Sequence, residues 1–301
     1  PTDPEPWGPA DSLPPLSPLA PTQSASRTPI PGRPKSGRKL GTLITIGAVV
    51  VTGAWFSAGL LRSDVTVEVP TPVTAVRVTT GSTGVTVRYD DVPYARIVEL
   101  NKATGSRIDH RVVDGELIVD QNGRTGFRFG PSWGQRLEIV LPTKTADGTP
   151  DIHVRTSSGG VTLDGRFGAT DITTTTGAIR ATGSFEGMQA KVTTGSVRVE
   201  GTTPSVAAQT TTGSVDMQVT DAQNVTARTS TGSVDVAVTG PQPNTVTART
   251  NTGGIDLKLP DGAYQVQAKS NTGSVKVGVP EDPASPHRVE AQASTGSVRI
   301  S

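Results

Sequence analysis

The sequence predicts an all-β protein, a β-solenoid of stacked two-strand coils of about 18–23 residues with an irregular β segment capping its first rung. Two observations carry the prediction. A short phrase, written "TTTGSVDM" around Gly213 and "TSTGSVDV" around Gly232, recurs with its glycine at 159, 177, 195, 213, 232, 253, 273 and 296. A short, nearly fixed period of this kind marks a repeat architecture. On each side of the glycine the chain alternates with a period of two: Val225 and Ala227 stand seven and five residues before Gly232, and Val234 and Val236 two and four after it, with polar residues between. That pattern is strand, turn, strand, with one face buried and one wet.

Gly-Ser also suits a two-residue hairpin loop, so an antiparallel meander competes with the solenoid. The columns of equivalent residues favour the solenoid. One residue after the glycine stand Ser196, Ser214, Ser233, Ser274 and Ser297, and one before it Thr in seven of the eight units. In stacked coils such residues touch, roughly 4.8 Å apart, whereas in a meander they sit two strands apart, so ladders of hydroxyls are favoured by stacking. The small Ala and Thr before the glycine, facing Val and Leu after it, suit a thin core in which large meets small.

The chain divides into four parts. Residues 1–39 hold eleven prolines and little apolar area, and read as a disordered tail. From Leu40 to Leu61 run 22 residues without a charge, about 33 Å of helix, enough for a hydrocarbon core of roughly 30 Å. Arg27, Arg33, Lys35, Arg38 and Lys39 precede this span and Arg62 follows it, which places the N-terminus in the cytoplasm and the C-terminus outside. A cleaved signal peptide, with small residues at Ser57 to Gly59, is the competing reading. Residues 64–150 carry less regular strands, "VTAVRV", "ARIVEL" and "RLEIVLP" among them, and several of the aromatics: Tyr89, Tyr94, Phe127, Phe129 and Trp133. They are expected to cover the open edge of the first coil. Residues 151–301 are the repeats.

The progression "GELIVD", "LEIVLP", "HVRTSSGGVTL" and then iterated T-T-G-S-V units resembles the bacterial putative-adhesin domain family of β-strand repeats, over about residues 65–301. The anchored, proline-rich N-terminus resembles actinobacterial versions. The resemblance implies a β-solenoid held outside the cytoplasmic membrane. It implies no reaction, because that family has no catalytic motif to carry over.

The formal charge of +1 gives no global field for nucleic acid, and the lack of cysteine removes disulfides, thiolate metal sites and Cys nucleophiles. His110, His153 and His287 are scattered, and no Ser-His-Asp order, phosphate loop or HExxH stretch is present. Two outward columns carry charge. Three residues after the glycine stand Asp216, Asp235 and Asp256, bracketed by Arg198 and Lys276. Such a ladder is a weak candidate for a divalent cation; a solvated charged face explains it as well. Four before the glycine stand Arg155, Lys191, Arg228, Arg249 and Lys269, a candidate contact for anionic wall polymer or lipid headgroups. The final unit, ending at Val298 and Ile300, has no cap after it, which predicts an open rung that self-associates or takes a partner strand. The expectation is a single-pass envelope protein that binds or organises surface components such as a cell-wall polymer or surface protein. It catalyses nothing and uses no cofactor. A transmembrane sensor signalling through the proline-rich tail is the alternative, and a carbohydrate-active enzyme a more remote one.

Overall fold

The computed structural model describes residues 64–100, 109–121, 135–143 and 148–301. The expected tail over 1–39 and the apolar span Leu40–Leu61 lie outside the described residues, as do Phe127, Phe129 and Trp133. Among the described residues no helix is long and apolar enough to cross a membrane.

Twenty-one strands are described. The N-terminal ones are β1 (Val65–Val69), β2 (Ala75–Thr80), β3 (Gly84–Asp90), β4 (Ala95–Leu100), β5 (Asp109–Val113), β6 (Glu116–Asp120) and β7 (Arg136–Pro142). The repeats begin with β8 (Asp151–Ser158) and two long strands, β9 (Val161–Thr176) and β10 (Ile179–Thr194). They continue as β11 (Val197–Thr202), β12 (Ser205–Thr212), β13 (Val215–Thr220), β14 (Asn224–Thr231), β15 (Val234–Thr239), β16 (Thr245–Thr252) and β17 (Ile255–Lys258). The last are β18 (Gln265–Thr272), β19 (Val275–Val277), β20 (Arg288–Thr295) and β21 (Val298–Ile300).

The two limbs that meet at a repeat glycine do not pair with each other; β9 and β10 each run unbroken through two limbs, and each limb pairs separately. Each pairs in parallel with its equivalent in neighbouring coils: Val225 aligns with Val206 on one side and Val246 on the other, and Val234 with Val215 and Ile255. The glycine is therefore the corner of a coil, not a hairpin loop, and the ladder runs through it, since Gly195 N–H donates to Thr212 O at 2.9 Å and Val197 N–H to Ser214 O at 3.0 Å. Two of the buried columns set small residues against larger ones. Ala190, Ala208, Ala227 and Ala248 lie before the corner, Val197, Val215, Val234 and Ile255 after it, and all are buried.

The corner needs glycine for two reasons. From Gly177 onward the repeat glycines have φ between +137° and +143°, a region L side chains rarely adopt. A Cβ on Gly195 or Gly213 would also lie 1.9 Å from the carbonyl oxygen of the glycine one rung below. A second glycine column, Gly165, Gly183 and Gly201, turns the opposite corner in the same way, with φ of +141°, +132° and +140°. The Tyr89 ring covers Gly165, lies tilted against Phe167 with ring centroids 5.5 Å apart, and Tyr89 donates its hydroxyl to Arg166 O at 2.5 Å. Burial pushes the Tyr89 phenol up to about 12, so it stays a donor.

The hydroxyls that bond from rung to rung stand three residues before the glycine. Thr210 Oγ1 donates to Gly195 O at 3.0 Å, Thr229 Oγ1 to Gly213 O at 3.0 Å, and Thr250 Oγ1 to Gly232 O at 3.2 Å. These threonines are buried. Each supplies a partner to a corner carbonyl that would otherwise face a dry core, and a buried carbonyl without a partner costs about 1–3 kcal/mol.

The order of rungs departs from the order of the chain at both ends. Between them the coils follow the sequence. At the C-terminal end β20 pairs with β16 on one side and β18 on the other, and β21 with β17 and β19. The last coil of the chain is thus one rung inside the stack, and the preceding coil, β18–β19, lies beyond it. At the N-terminal end β2 lies between β6 and β8, and β3 between β7 and β9. Residues 64–150, expected as an irregular cap, accordingly contain two rungs in register with the repeats. Antiparallel strands cover the outer one: β5 on β6, and β4 with β1 on β7.

This order corrects the expectation that Val298 and Ile300 form an open edge: both are 1% exposed. The exposed rung is β18–β19, where Val275 is 42% exposed. It carries three features that discourage strand addition. Lys269 and Lys276 are exposed on it, and the segment from Pro280 to Asp282 lies alongside Tyr264, with Tyr264 N–H donating to Pro280 O and Asp282 N–H to Tyr264 O, both at 2.9 Å.

The Arg249–Glu290 pair favours the observed order over the sequential one, whereas Asp256 faces a cation in either, Arg299 here and Lys276 in chain order. Arg249 Nη2 pairs with Glu290 of the inserted coil at 2.6 Å, and Arg299 Nη1 lies 3.7 Å from Asp256. Stacking β18 directly on β16 would replace Glu290 by Gln267 and set Lys269 beside Arg249. Backbone contacts add to the preference, with Arg288 N–H donating to Asn244 O at 2.9 Å and His287 Nδ1 2.9 Å from Pro243 O.

Candidate functional site

Parallel, in-register stacking turns each outward repeat position into a straight column. The column four before the glycine runs, in rung order, Thr79, Arg155, Thr173, Lys191, Gln209, Arg228, Arg249, Gln292 and Lys269. The five cations expected from the sequence are all exposed on this one face. Their spacing differs from the sequence order in one place, because Gln292 of the inserted coil separates Arg249 from Lys269. Arg249 is tied to Glu290; Arg155, Lys191, Arg228 and Lys269 form no ion pair among the described residues. Beside this column, two residues nearer the corner, Thr175, Thr193, Thr211, Ser230 and Asn251 present only hydroxyls and amides.

The acidic column lies on the limb after the corner. Asp216, Asp235 and Asp256 align on consecutive rungs and line a shallow groove with Lys258. Arg198 precedes them and hydrogen-bonds Asp216 through Nε at 3.1 Å and through Nη2; that bond raises the Arg198 guanidinium above its ordinary value. On the far side the bracketing cation is Arg299, not Lys276 as the sequence order suggested, because the last coil is inserted there. Ser233 Oγ donates to Asp235 Oδ2 at 2.9 Å. Among the described residues no three His, Asp or Glu side chains converge on a point where a metal ion would sit. Consecutive rungs hold the carboxylates roughly 4.8 Å apart along a line, and two of the three meet a guanidinium. The column therefore reads as a balanced charged face.

The fold and its columns define a class: an all-β coil-stack protein whose outer faces are linear arrays of repeated side chains. The chain belongs to the Toastrack DUF4097 family, which it matches over residues 73–301. No curated protein matches it. Among solved structures it is similar to a putative adhesin from Bacteroides fragilis, at 14% identity and a TM-score of 0.44, covering 79% of this chain and 96% of that one. It is also similar to a putative lipid binding protein from Parabacteroides distasonis, at 11% identity and a TM-score of 0.43, covering 79% and 96%. A putative cell adhesion protein from Clostridium sporogenes matches at 11% identity with a TM-score of 0.22, covering 80% and 99%.

Proposed function

We propose that this protein is a membrane-anchored, non-catalytic scaffold whose coil stack lies outside the cytoplasmic membrane and binds an anionic polymer of the cell envelope along the basic column. The observation that carries the reading is the alignment of Arg155, Lys191, Arg228, Arg249 and Lys269 on one exposed face. On a solenoid such residues are held at fixed intervals by the backbone ladder, so an extended polyanion meets several of them without ordering any loop. Multiple weak contacts along one line add as linked binding events do. The uncharged span Leu40–Leu61, with five cations before it from Arg27 to Lys39, supports the N-in, C-out anchor.

The test is charge reversal on the full-length chain. Arg155→Glu, Lys191→Glu and Arg228→Glu together are expected to cut capture of anionic cell-wall fractions by more than tenfold, with unchanged thermal unfolding because all three side chains are exposed. Capture that survives the triple reversal would remove the basic column as the binding surface.

A further inference from the structure

We infer that the basic column is spaced for an acidic polysaccharide that carries its charge on alternate sugars, rather than for a densely charged phosphate polymer. The inference rests on the polymer-binding reading and adds the class of polymer.

The argument begins with which cations are available. Arg249 is neutralised by Glu290, its partner at 2.6 Å. Arg155, Lys191 and Arg228 form no ion pair among the described residues, and they occupy every second rung, separated by Thr173 and Gln209. Two rungs of a parallel stack span about 10 Å. From Arg155 to Arg228 available positive charge therefore recurs about every 10 Å along the axis, with a neutral hydrogen-bonding side chain between; Lys269, also unpaired among the described residues, stands three rungs past Arg228. A nucleic-acid strand presents a phosphate roughly every 3.4 Å in B-form, and would leave most of its charges unmatched on this face. A glycan with a carboxylate on every second sugar presents charge at a comparable long interval and hydroxyls in the gaps.

The neighbouring column supplies what those hydroxyls need. Thr193, Thr211 and Ser230 flank the rungs of Lys191, Gln209 and Arg228. Their hydroxyls both donate and accept, which suits sugar hydroxyls and offers little to a phosphate beyond single donors. The backbone pairing along the column is continuous, so the interval between cations is set by the fold and not by side-chain flexibility alone.

Moving one charge without changing the total separates spacing from attraction. The full-length double variant Arg228→Gln with Gln209→Arg shifts a cation by one rung, next to Lys191, and keeps the net charge. Hyaluronan, with one carboxylate per two sugars, and inorganic polyphosphate serve as probes at the same ionic strength. The double variant is expected to bind hyaluronan at least tenfold more weakly than the parent, and polyphosphate within twofold. Equal hyaluronan affinity in parent and double variant, with weaker binding by Arg228→Gln alone, would overturn the spacing inference and leave the polymer-binding reading standing. Polyphosphate bound more tightly than hyaluronan by the parent, and no less so by the double variant, would likewise overturn it. Failure of the parent to bind either probe, alongside wall capture insensitive to the charge reversals, would overturn both.

Discussion

Deleting residues 288–301 is expected to unfold two coils, not one. The deleted segment is the last in the chain but lies between β16–β17 and β18–β19. Its removal takes away Val289, Ala291, Val298 and Ile300, all buried, and leaves β18–β19 without the one rung it pairs with among the described residues. Nearest-neighbour contacts carry the stability of a solenoid, so the loss should be on the order of 5 kcal/mol in the C-terminal part. Amide exchange across Gln265–Val277 would rise to nearly unprotected rates. Sliding β18 onto β16 does not rescue the coil cheaply, since it sets Lys269 beside Arg249 and lacks Glu290. If the strands followed chain order, the same deletion would leave Gln265–Val277 protected.

The second large effect belongs to the corner. Gly213→Ala is expected to destabilise by about 3–5 kcal/mol, combining strain at a positive φ with overpacking against backbone. Gly213 has φ +137°, and its Cβ would lie 1.9 Å from Gly195 O and 2.6 Å from Gly195 C. The clash is with backbone that is itself locked in the ladder, so neither rung gives way easily. Gly187→Ala is the internal comparison: a Cβ there meets nothing within 4 Å, and the change should move the unfolding midpoint little. Thermal or denaturant unfolding of the two variants side by side checks the prediction, and equal effects would contradict the corner account.

The internal plan of a coil was legible because every unit states it again. Period-two alternation assigned Val234 and Val236 inward and Asp235 outward, and the structure leaves the two valines buried and the aspartate exposed. The column four before the glycine was legible for the same reason. Two features were not. The inward threonines, Thr210, Thr229 and Thr250, were legible as small core residues, but the bond each hydroxyl makes to a corner carbonyl was not, because the carbonyl belongs to the neighbouring rung.

The stack order was hidden more deeply. The coils around Gly253, Gly273 and Gly296 present the same inward pattern, so any of them fits on any other. What distinguishes them is the outward set: Arg249 meets Glu290 only when the last coil is inserted, and would meet Lys269 and Gln267 otherwise. A similar ambiguity holds at the other end, where Val76 aligns with Leu117 on one side and Ile152 on the other. In both places a segment at the end of the repeat path is held between two rungs. End strands that would fray from an open stack are paired on both sides, and the outermost positions fall to antiparallel strands at one end and to a lysine-bearing coil at the other.

Because the spacing of the basic column depends on that order, the most direct test is a pair of engineered cysteine couples in a chain that has no cysteine of its own. Arg249→Cys with Gln292→Cys joins adjacent rungs, roughly 4.8 Å apart and within disulfide reach; Arg249→Cys with Lys269→Cys spans two rungs, about 10 Å, and lies beyond it. All three side chains are exposed on the same face. Under mild oxidation the first couple is expected to form an intramolecular disulfide nearly completely and the second to remain reduced. A disulfide in the second couple and none in the first would place the coils in chain order and contradict both the tucked ends and the charge spacing drawn from them.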